Sequence, residues 1–273
     1  MRRSICLWGA AVLCLGVLAA CGAAAEQAVS SGQEGSAETQ IIQKVYAKEY
    51  QSDDGKVLLG NYSYTAPVMT GVSDAEASET IADTFNGEMT AMVEDRAREW
   101  DEAMENAQAW YDESRKDEWE YYGHWTDEST CQMNATEEMV SLRFANYVYS
   151  GGAHGYTYYT GMLFDLREGA FVEIGELSDD PQNLVQTVSD EILRQIEEKG
   201  LVEQFGYWSD YADYVAQWSS NHSIFFNESN QMEIIFPAYE LASYAAGEQF
   251  FSVEQSVYEP CLNDYGKRLL RIE

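Results

Sequence analysis

Between residues 74 and 112 apolar residues recur at steps of three, four and seven: Ile81, Phe85, Met89, Met92, Val93, Trp100, Met104, Ala107 and Tyr111. They make one apolar face with acids on the other, the pattern of an amphipathic helix. Ser73 and Glu76, three apart, form a capping box at its start. At 1.5 Å per residue this helix would be a rod of about 58 Å. That is long for a domain built from 273 residues, so a bend or break is expected, with Gly87 as its candidate. Any fold open to this chain has to cover that one long apolar face.

Strands are available to cover it. Residues 41–50 and 56–66 flank Ser52-Asp53-Asp54-Gly55, and Asp-Gly between two apolar runs signals a hairpin. Pro67 is expected to end the second strand. After the helix, strands return from Trp119 onward. Residues 139–149 alternate as a sheet strand does, residues 150–155 turn, residues 156–165 form another strand, and residues 166–171 turn into a third.

A second helix begins with Asp180 as cap and Pro181 in the first turn. Leu184, Val185, Val188, Ile192 and Ile196 make its buried stripe, and Gly200 stops it. Trp208, Tyr211, Tyr214, Val215 and Trp218 follow at helical spacing. Residues 224–226 and 232–236 are strands around the Asn227–Asn230 turn, and residues 250–253 form a last strand. Runs of strands with separate helices predict an α+β fold. We expect two similar-sized lobes, residues 40–160 and 161–265, each an antiparallel sheet packed against a helix.

The first residues carry a different message. Arg2 and Arg3 precede an apolar stretch from residue 5 to 17, and Leu18-Ala19-Ala20-Cys21 places small residues before a cysteine. That order describes a secretory leader over residues 1–20, and its apolar core is shorter than the ~20 residues of a membrane span. Residues 18–21 resemble a bacterial lipobox. The resemblance implies lipid on the Cys21 thiol, a chain anchored on the outer face of the membrane, and contact with the membrane through that lipid alone. Residues 21–39, rich in Gly, Ala, Ser, Gln and Glu, read as a flexible tether.

The formal charge is −31. Loss of the leader, which holds two arginines and no acid, makes it two units more negative. Nucleic acid is an unsuitable partner, since phosphate binding needs clustered Lys and Arg. A cationic partner is favoured, although acidity also serves solubility alone. Once Cys6 and Cys14 leave with the leader and Cys21 carries lipid, Cys131 and Cys261 remain. In an oxidising compartment they either pair as a disulfide or stay as two buried thiols. Neither they nor His124, His154 and His222 show metal-ligand spacing, so no metal or cofactor is expected.

His154 sits among small residues and can be structural, ligand-binding or catalytic. A catalytic base needs a nucleophile and an orienting acid beside it, and spacing identifies neither. Tyr156 and Tyr158 share one strand face and Tyr159 takes the other. Such rows stack on sugar rings or pack on a core. Residues 237–247, with Tyr239 and Tyr244 near its ends, read as an irregular connection.

Two segments resemble a known family. Gly151-Gly152-Ala153-His154-Gly155 leads into a Tyr-rich strand, Phe164-Asp165-Leu166 and Val172-Glu173-Ile174-Gly175-Glu176-Leu177. Later comes Ile235-Phe236-Pro237-Ala238-Tyr239-Glu240-Leu241-Ala242-Ser243-Tyr244-Ala245-Ala246-Gly247. Their order and separation are similar to the DUF4163/DUF3298 pair found outside the membrane in RsiV-type anti-sigma factors and beside some peptidoglycan deacetylase domains. The resemblance implies a lysozyme-binding, sensing part. With so few residues before the apolar stretch, no cytoplasmic segment to grip a sigma factor is expected, and neither is an anti-sigma role. The deacetylase constellation of an Asp-Asp pair with His-x-x-x-His is missing too. Asp53-Asp54 reads as a turn and Asp179-Asp180 as a helix cap. The sequence therefore predicts a non-enzymatic binding or sensing lipoprotein of the cell envelope, its partner a cationic protein such as lysozyme, or peptidoglycan glycan. The candidate ligand residues are His154, Tyr156, Tyr158, Tyr239 and Tyr244. The rivals are an envelope enzyme with a site near His154 and a structural envelope lipoprotein.

Overall fold

The computed structural model describes residues 40–71, 78–114, 119, 123–221 and 224–273. The expected leader over residues 1–20, Cys21, the expected tether over residues 21–39, the expected capping box at Ser73 and Glu76, and His222 lie outside the described residues. β1 (Gln40–Gln51) and β2 (Leu58–Gly71) form the expected antiparallel hairpin. Its turn is held by the Ser52 hydroxyl, which accepts the N–H groups of Lys56 and Val57 at 3.2 Å each, and by Gly55 at φ +68°. β2 does not end at Pro67 but runs four residues further, with Pro67 opposite Gln43. The parallel neighbour of β2 reaches only Gly60–Tyr64, so Pro67 lies where β2 is a sheet edge, a place that tolerates a missing N–H.

α1 (Ser78–Glu113) is a single helix of 36 residues, unbroken through Gly87. The expected break is absent because two adjoining clusters cover its stripe along its length. Ile81, Phe85 and Met89 lie against β4 and β5 side chains, and Trp100, Met104 and Ala107 lie against Leu59 and Trp119. Every stripe residue is buried except Met92 and Tyr111, which are half-buried. The strand expected from Trp119 starts instead at Trp125. Trp119 is buried against the rings of Trp110 and Tyr111, at 5.3 and 5.2 Å.

β3 (Trp125–Ala135) returns parallel to β2, in the register Gly60↔Trp125 to Tyr64↔Ser129. A parallel neighbour needs a long crossover, and α1 is that crossover. The first sheet is thus mixed, not wholly antiparallel as expected. β4 (Met139–Tyr149), β5 (Tyr156–Asp165) and β6 (Ala170–Phe171) complete it antiparallel, in the order β1-β2-β3-β4-β5-β6. β5 pairs with β4 over its full length, so the first sheet continues past residue 160.

The second sheet has three antiparallel strands, β7 (Ile224–Phe226), β8 (Met232–Phe236) and β9 (Gln249–Val253). α2 (Pro181–Lys199) covers it. Asp180 caps α2 by accepting the Asn183 N–H, and Gly200 stops it at φ +62°. Leu184, Val188, Ile192 and Ile196 pack with Ile234, Phe236, Phe251 and Trp218. Each such side chain, fully buried, contributes about 1.5–3 kcal/mol. The α+β class is borne out. The sheets are unequal, with six strands and three, and their cores meet, since Met139 and Leu163 of the first sheet belong to the second core.

The two sheets approach closely at Gly161, where a Cβ would stand 2.5 Å from the backbone N and O of Ile224. Asn134 donates to the Phe226 carbonyl at 2.9 Å, and the Phe226 N–H donates to the Ser141 hydroxyl at 3.0 Å. The C-terminal helix α3 (Asp264–Leu269) closes the molecule. Its Arg268 reaches Glu138 at 2.6 Å and also the fully buried Asp165. No helix among the described residues is long and apolar enough to cross a membrane.

Candidate functional site

The turn between β4 and β5 is built from glycines that have to be glycines. Gly151 and Gly152 sit at φ +88° and +95°, backbone that L side chains rarely adopt. Gly155 is buried, and a Cβ there would strike the Tyr147 ring at 2.5 Å. This turn brings His154 against residues 237–247, which form the expected irregular connection with a single 3₁₀ turn at Tyr244–Ala246.

The His154 ring stacks on Tyr244, with centroids 3.9 Å apart and planes 16° from parallel. Tyr239 stands 6.2 Å from His154 and 5.5 Å from Tyr244. His154 Nδ1 lies 2.9 Å from the Gly155 carbonyl and Nε2 lies 3.3 Å from the Tyr239 hydroxyl. A carbonyl only accepts, so in neutral His154 Nδ1 carries the hydrogen and Nε2 accepts from Tyr239. The Tyr244 hydroxyl donates to the same Gly155 carbonyl at 3.4 Å. Tyr239 has φ +78°, unusual for a residue with a side chain. Trp208 holds it there, its indole N–H donating to the Tyr239 carbonyl at 3.3 Å and its backbone N–H to the Leu241 carbonyl at 2.8 Å.

Three of the expected residues, His154, Tyr239 and Tyr244, therefore form one cluster from both halves of the chain. Trp208 joins them. The helical run expected over residues 208–218 is broken into Tyr211–Val215 and Trp218–Asn221, and Trp208 falls outside it, exposed. Tyr239 remains 55% exposed despite its contacts.

Tyr156 and Tyr158 form a separate stacked pair with ring centroids 6.0 Å apart. They lie on the α1 side of β5, where the Arg96 guanidinium sits 5.7 Å from the Tyr158 ring and 4.7 Å from the Tyr64 ring. Arg96 is the anchor that sequence reasoning missed. It donates to Asp127 through Nε at 3.0 Å and through Nη2, and to Asn146. Tyr64 donates to Asp127 at 2.6 Å. Burial and the Asp127 carboxylate push the Tyr64 hydroxyl far above the usual tyrosine range. A signal was available: Arg96 is four residues from both Met92 and Trp100, which puts a charge on the apolar stripe.

Cys131 and Cys261 do not pair; both are free thiols. Cys131 is on β3 at the first core, while Cys261 lies 3.4 Å from both Asn183 and Thr187 of α2. Burial pushes the Cys131 thiol up to about 12. Among the described residues no three His, Cys, Asp or Glu side chains are placed to hold a metal ion. His124 bonds Asn61 at 2.9 Å, far in sequence from His154.

Residues 53–157 match the family model described as Deacetylase PdaC. No curated protein matches the chain in sequence. A DUF3298 family protein from Bacteroides fragilis superposes with a TM-score of 0.64 at 14% identity, over 88% of this chain and 99% of that one. A DUF3298 family protein from Pseudomonas aeruginosa superposes with a TM-score of 0.53 at 10% identity, over 81% and 94%. The fold is that of the DUF3298 proteins, and the resemblance read from residues 151–155 and 235–247 is borne out.

Proposed function

We propose that this chain, which has the fold of the DUF3298 proteins, is a binding module anchored outside the cell by lipid on Cys21, and that its aromatic cluster takes a cell-wall glycan. The observation that carries this is the exposed cluster of His154, Tyr239, Tyr244 and Trp208, drawn from segments up to 90 positions apart. Aromatic faces offer apolar area to the C–H faces of sugars, while their hydroxyls and ring nitrogens supply directional bonds. His154 commits both ring nitrogens to Gly155 and Tyr239, which supports a positioning role over proton transfer. The leader at residues 1–20 supports export. No anti-sigma activity is proposed.

Purified peptidoglycan sedimented with the soluble chain from residue 22 tests the reading. Retention is expected to fall at least tenfold in the double variant Tyr239→Ala, Tyr244→Ala. Equal retention of variant and parent, or none by the parent, refutes it. A second reading, a cationic protein such as lysozyme, is supported by the charge of −31. It predicts affinity that falls steeply with salt, and absence of binding even at low salt ends it.

A further inference from the structure

The two edges of the first sheet are treated differently. β1 carries Lys44, Lys48 and Glu49 and has register shifts at both ends, features that discourage pairing by another chain. From Tyr156 to Phe164, β5 has no charged residue and no proline, and its register with β4 is unbroken. β6 pairs only with Phe164 and Asp165. The Leu163 carbonyl accepts the Val172 N–H at 2.8 Å, so the backbone groups of Leu163 turn away from β4. Backbone direction alternates along a strand, so those of Gly161, Tyr159 and Thr157 turn away as well. Among the described residues these three have no strand partner on that side. The open stretch is about 17 Å long.

A cavity of about 400 Å³ runs along this edge. Phe171, Ile174, Ile224 and Phe226 line it, with Ile224 packed over Gly161. The exposed charges at the cavity are negative, since Arg143, opposite Gly161, is buried and paired with Glu233. Glu173 lines it and is exposed, and at the Tyr159 end the Tyr159 hydroxyl is hydrogen-bonded to the exposed Glu248.

We infer that the β5 edge is a slot for one extended segment of a basic peptide or protein, which adds as a strand beside Thr157–Gly161. Backbone bonds to the outward groups would give affinity, and alternate side chains would give specificity. Apolar residues would face Ile224, and a lysine or arginine at each end of the segment would meet Glu173 and Glu248. This surface is distinct from the aromatic cluster and does not depend on its ligand.

The probe is a synthetic heptapeptide with a lysine at each end and alternating valine and threonine between them, titrated into the soluble chain from residue 22 while amide exchange is followed by residue. Binding is expected to slow exchange at Tyr159 and Gly161 at least tenfold. The same peptide N-methylated at alternate backbone positions is expected to bind at least tenfold more weakly, as is the peptide with glutamate for lysine. Glu173→Gln, which keeps the oxygen that caps the 3₁₀ turn at Ile174–Leu177, is expected to weaken the lysine peptide severalfold with unchanged thermal stability. The inference is overturned by no binding at millimolar peptide, by equal binding of the N-methylated peptide, or by amides already protected in the free monomer. It is also overturned if sedimentation shows a dimer whose formation protects the same amides, since the slot then belongs to a second copy.

Discussion

Asp127→Ala tests what holds α1 to the first sheet. The Arg96 side chain is 14% exposed and that of Asp127 is 6% exposed. The substitution leaves the guanidinium with only Asn146 and, at 3.4 Å, the Glu128 carbonyl. It also strips the acceptor from the hydroxyl of the buried Tyr64. Removing one partner of a buried ion pair costs about 3–5 kcal/mol, and an orphaned buried hydroxyl costs about 1–3 kcal/mol. The two overlap, because Arg96 and Tyr64 share one carboxylate, so the expected loss is about 4 kcal/mol. In urea, with a slope of about 2–3 kcal/mol/M, the midpoint falls by about 1.5 M. The triple variant Arg96→Met, Asp127→Leu, Tyr64→Phe removes every charge and hydroxyl at once and is expected to recover most of the loss. A loss below about 1 kcal/mol for Asp127→Ala would refute the argument. So would a triple variant as unstable as the single one, because shape and not charge compensation would then be holding the face.

Cys131, with its thiol raised to about 12, is expected to react with iodoacetamide at pH 8 about a thousandfold more slowly in the native chain than in urea, as mass spectrometry of the labelled peptide would show. Asp165 is held below the usual carboxylate range: burial pushes it up, but Arg268 and the N–H groups of Glu168 and Arg167 outweigh that. Its stabilisation is therefore present above the unfolded-state value near 3.8 and is lost as pH falls through the lower folded-state value. Asp165→Asn is expected to flatten the fall of Tm over that acid window, and an unchanged slope counts against it. Gly161→Ala drives a methyl onto the Ile224 backbone and is expected to cost about 1–3 kcal/mol in thermal or urea unfolding. Asp180→Ala removes the cap of α2 and is expected to cost about 1 kcal/mol by the same measurement.

Local physics made much of this fold legible. The α1 stripe, the bounds of β4 and β5, and the Asp180 and Gly200 ends of α2 all follow from periodicity, capping and glycine conformation. Topology was less legible. Nothing in residues 125–135 says that they pair with β2 in parallel, because pairing direction depends on where α1 delivers the chain. Pro67 and Gly87 misled for a related reason. A breaker acts on the isolated element, but edge position excused the first and side-chain packing along the helix outweighed the second. In the candidate site, His154, Tyr239 and Tyr244 were each visible as residues while their meeting was not. Trp208 was hidden because its helical spacing with Tyr211 and Trp218 is accidental.

The cluster is fixed by bonds outside it. Its two halves are joined where the sheets meet, at Gly161 against Ile224, at Asn134 and Ser141 on the Phe226 backbone, and at the ion pair of Arg143 with Glu233 at 3.0 Å. That pair is buried, and Arg143 also sits 5.0 Å from the Phe225 ring. β8 and residues 237–247 are continuous, so the bond at Glu233 sets where Tyr239 can stand relative to β4 and its turn. The His154–Tyr244 stack is then assembled before any ligand arrives, and the ordering cost of binding is correspondingly lower. Loss of the Arg143–Glu233 pair should therefore weaken a ligand on Tyr239 and Tyr244 although neither charge touches it, whereas the β5 slot, walled by Ile224 and Phe226 of β7, should weaken with it. Losing both surfaces together on one substitution at the sheet junction, with the far hairpin of β1 and β2 intact, is what a shared scaffold requires.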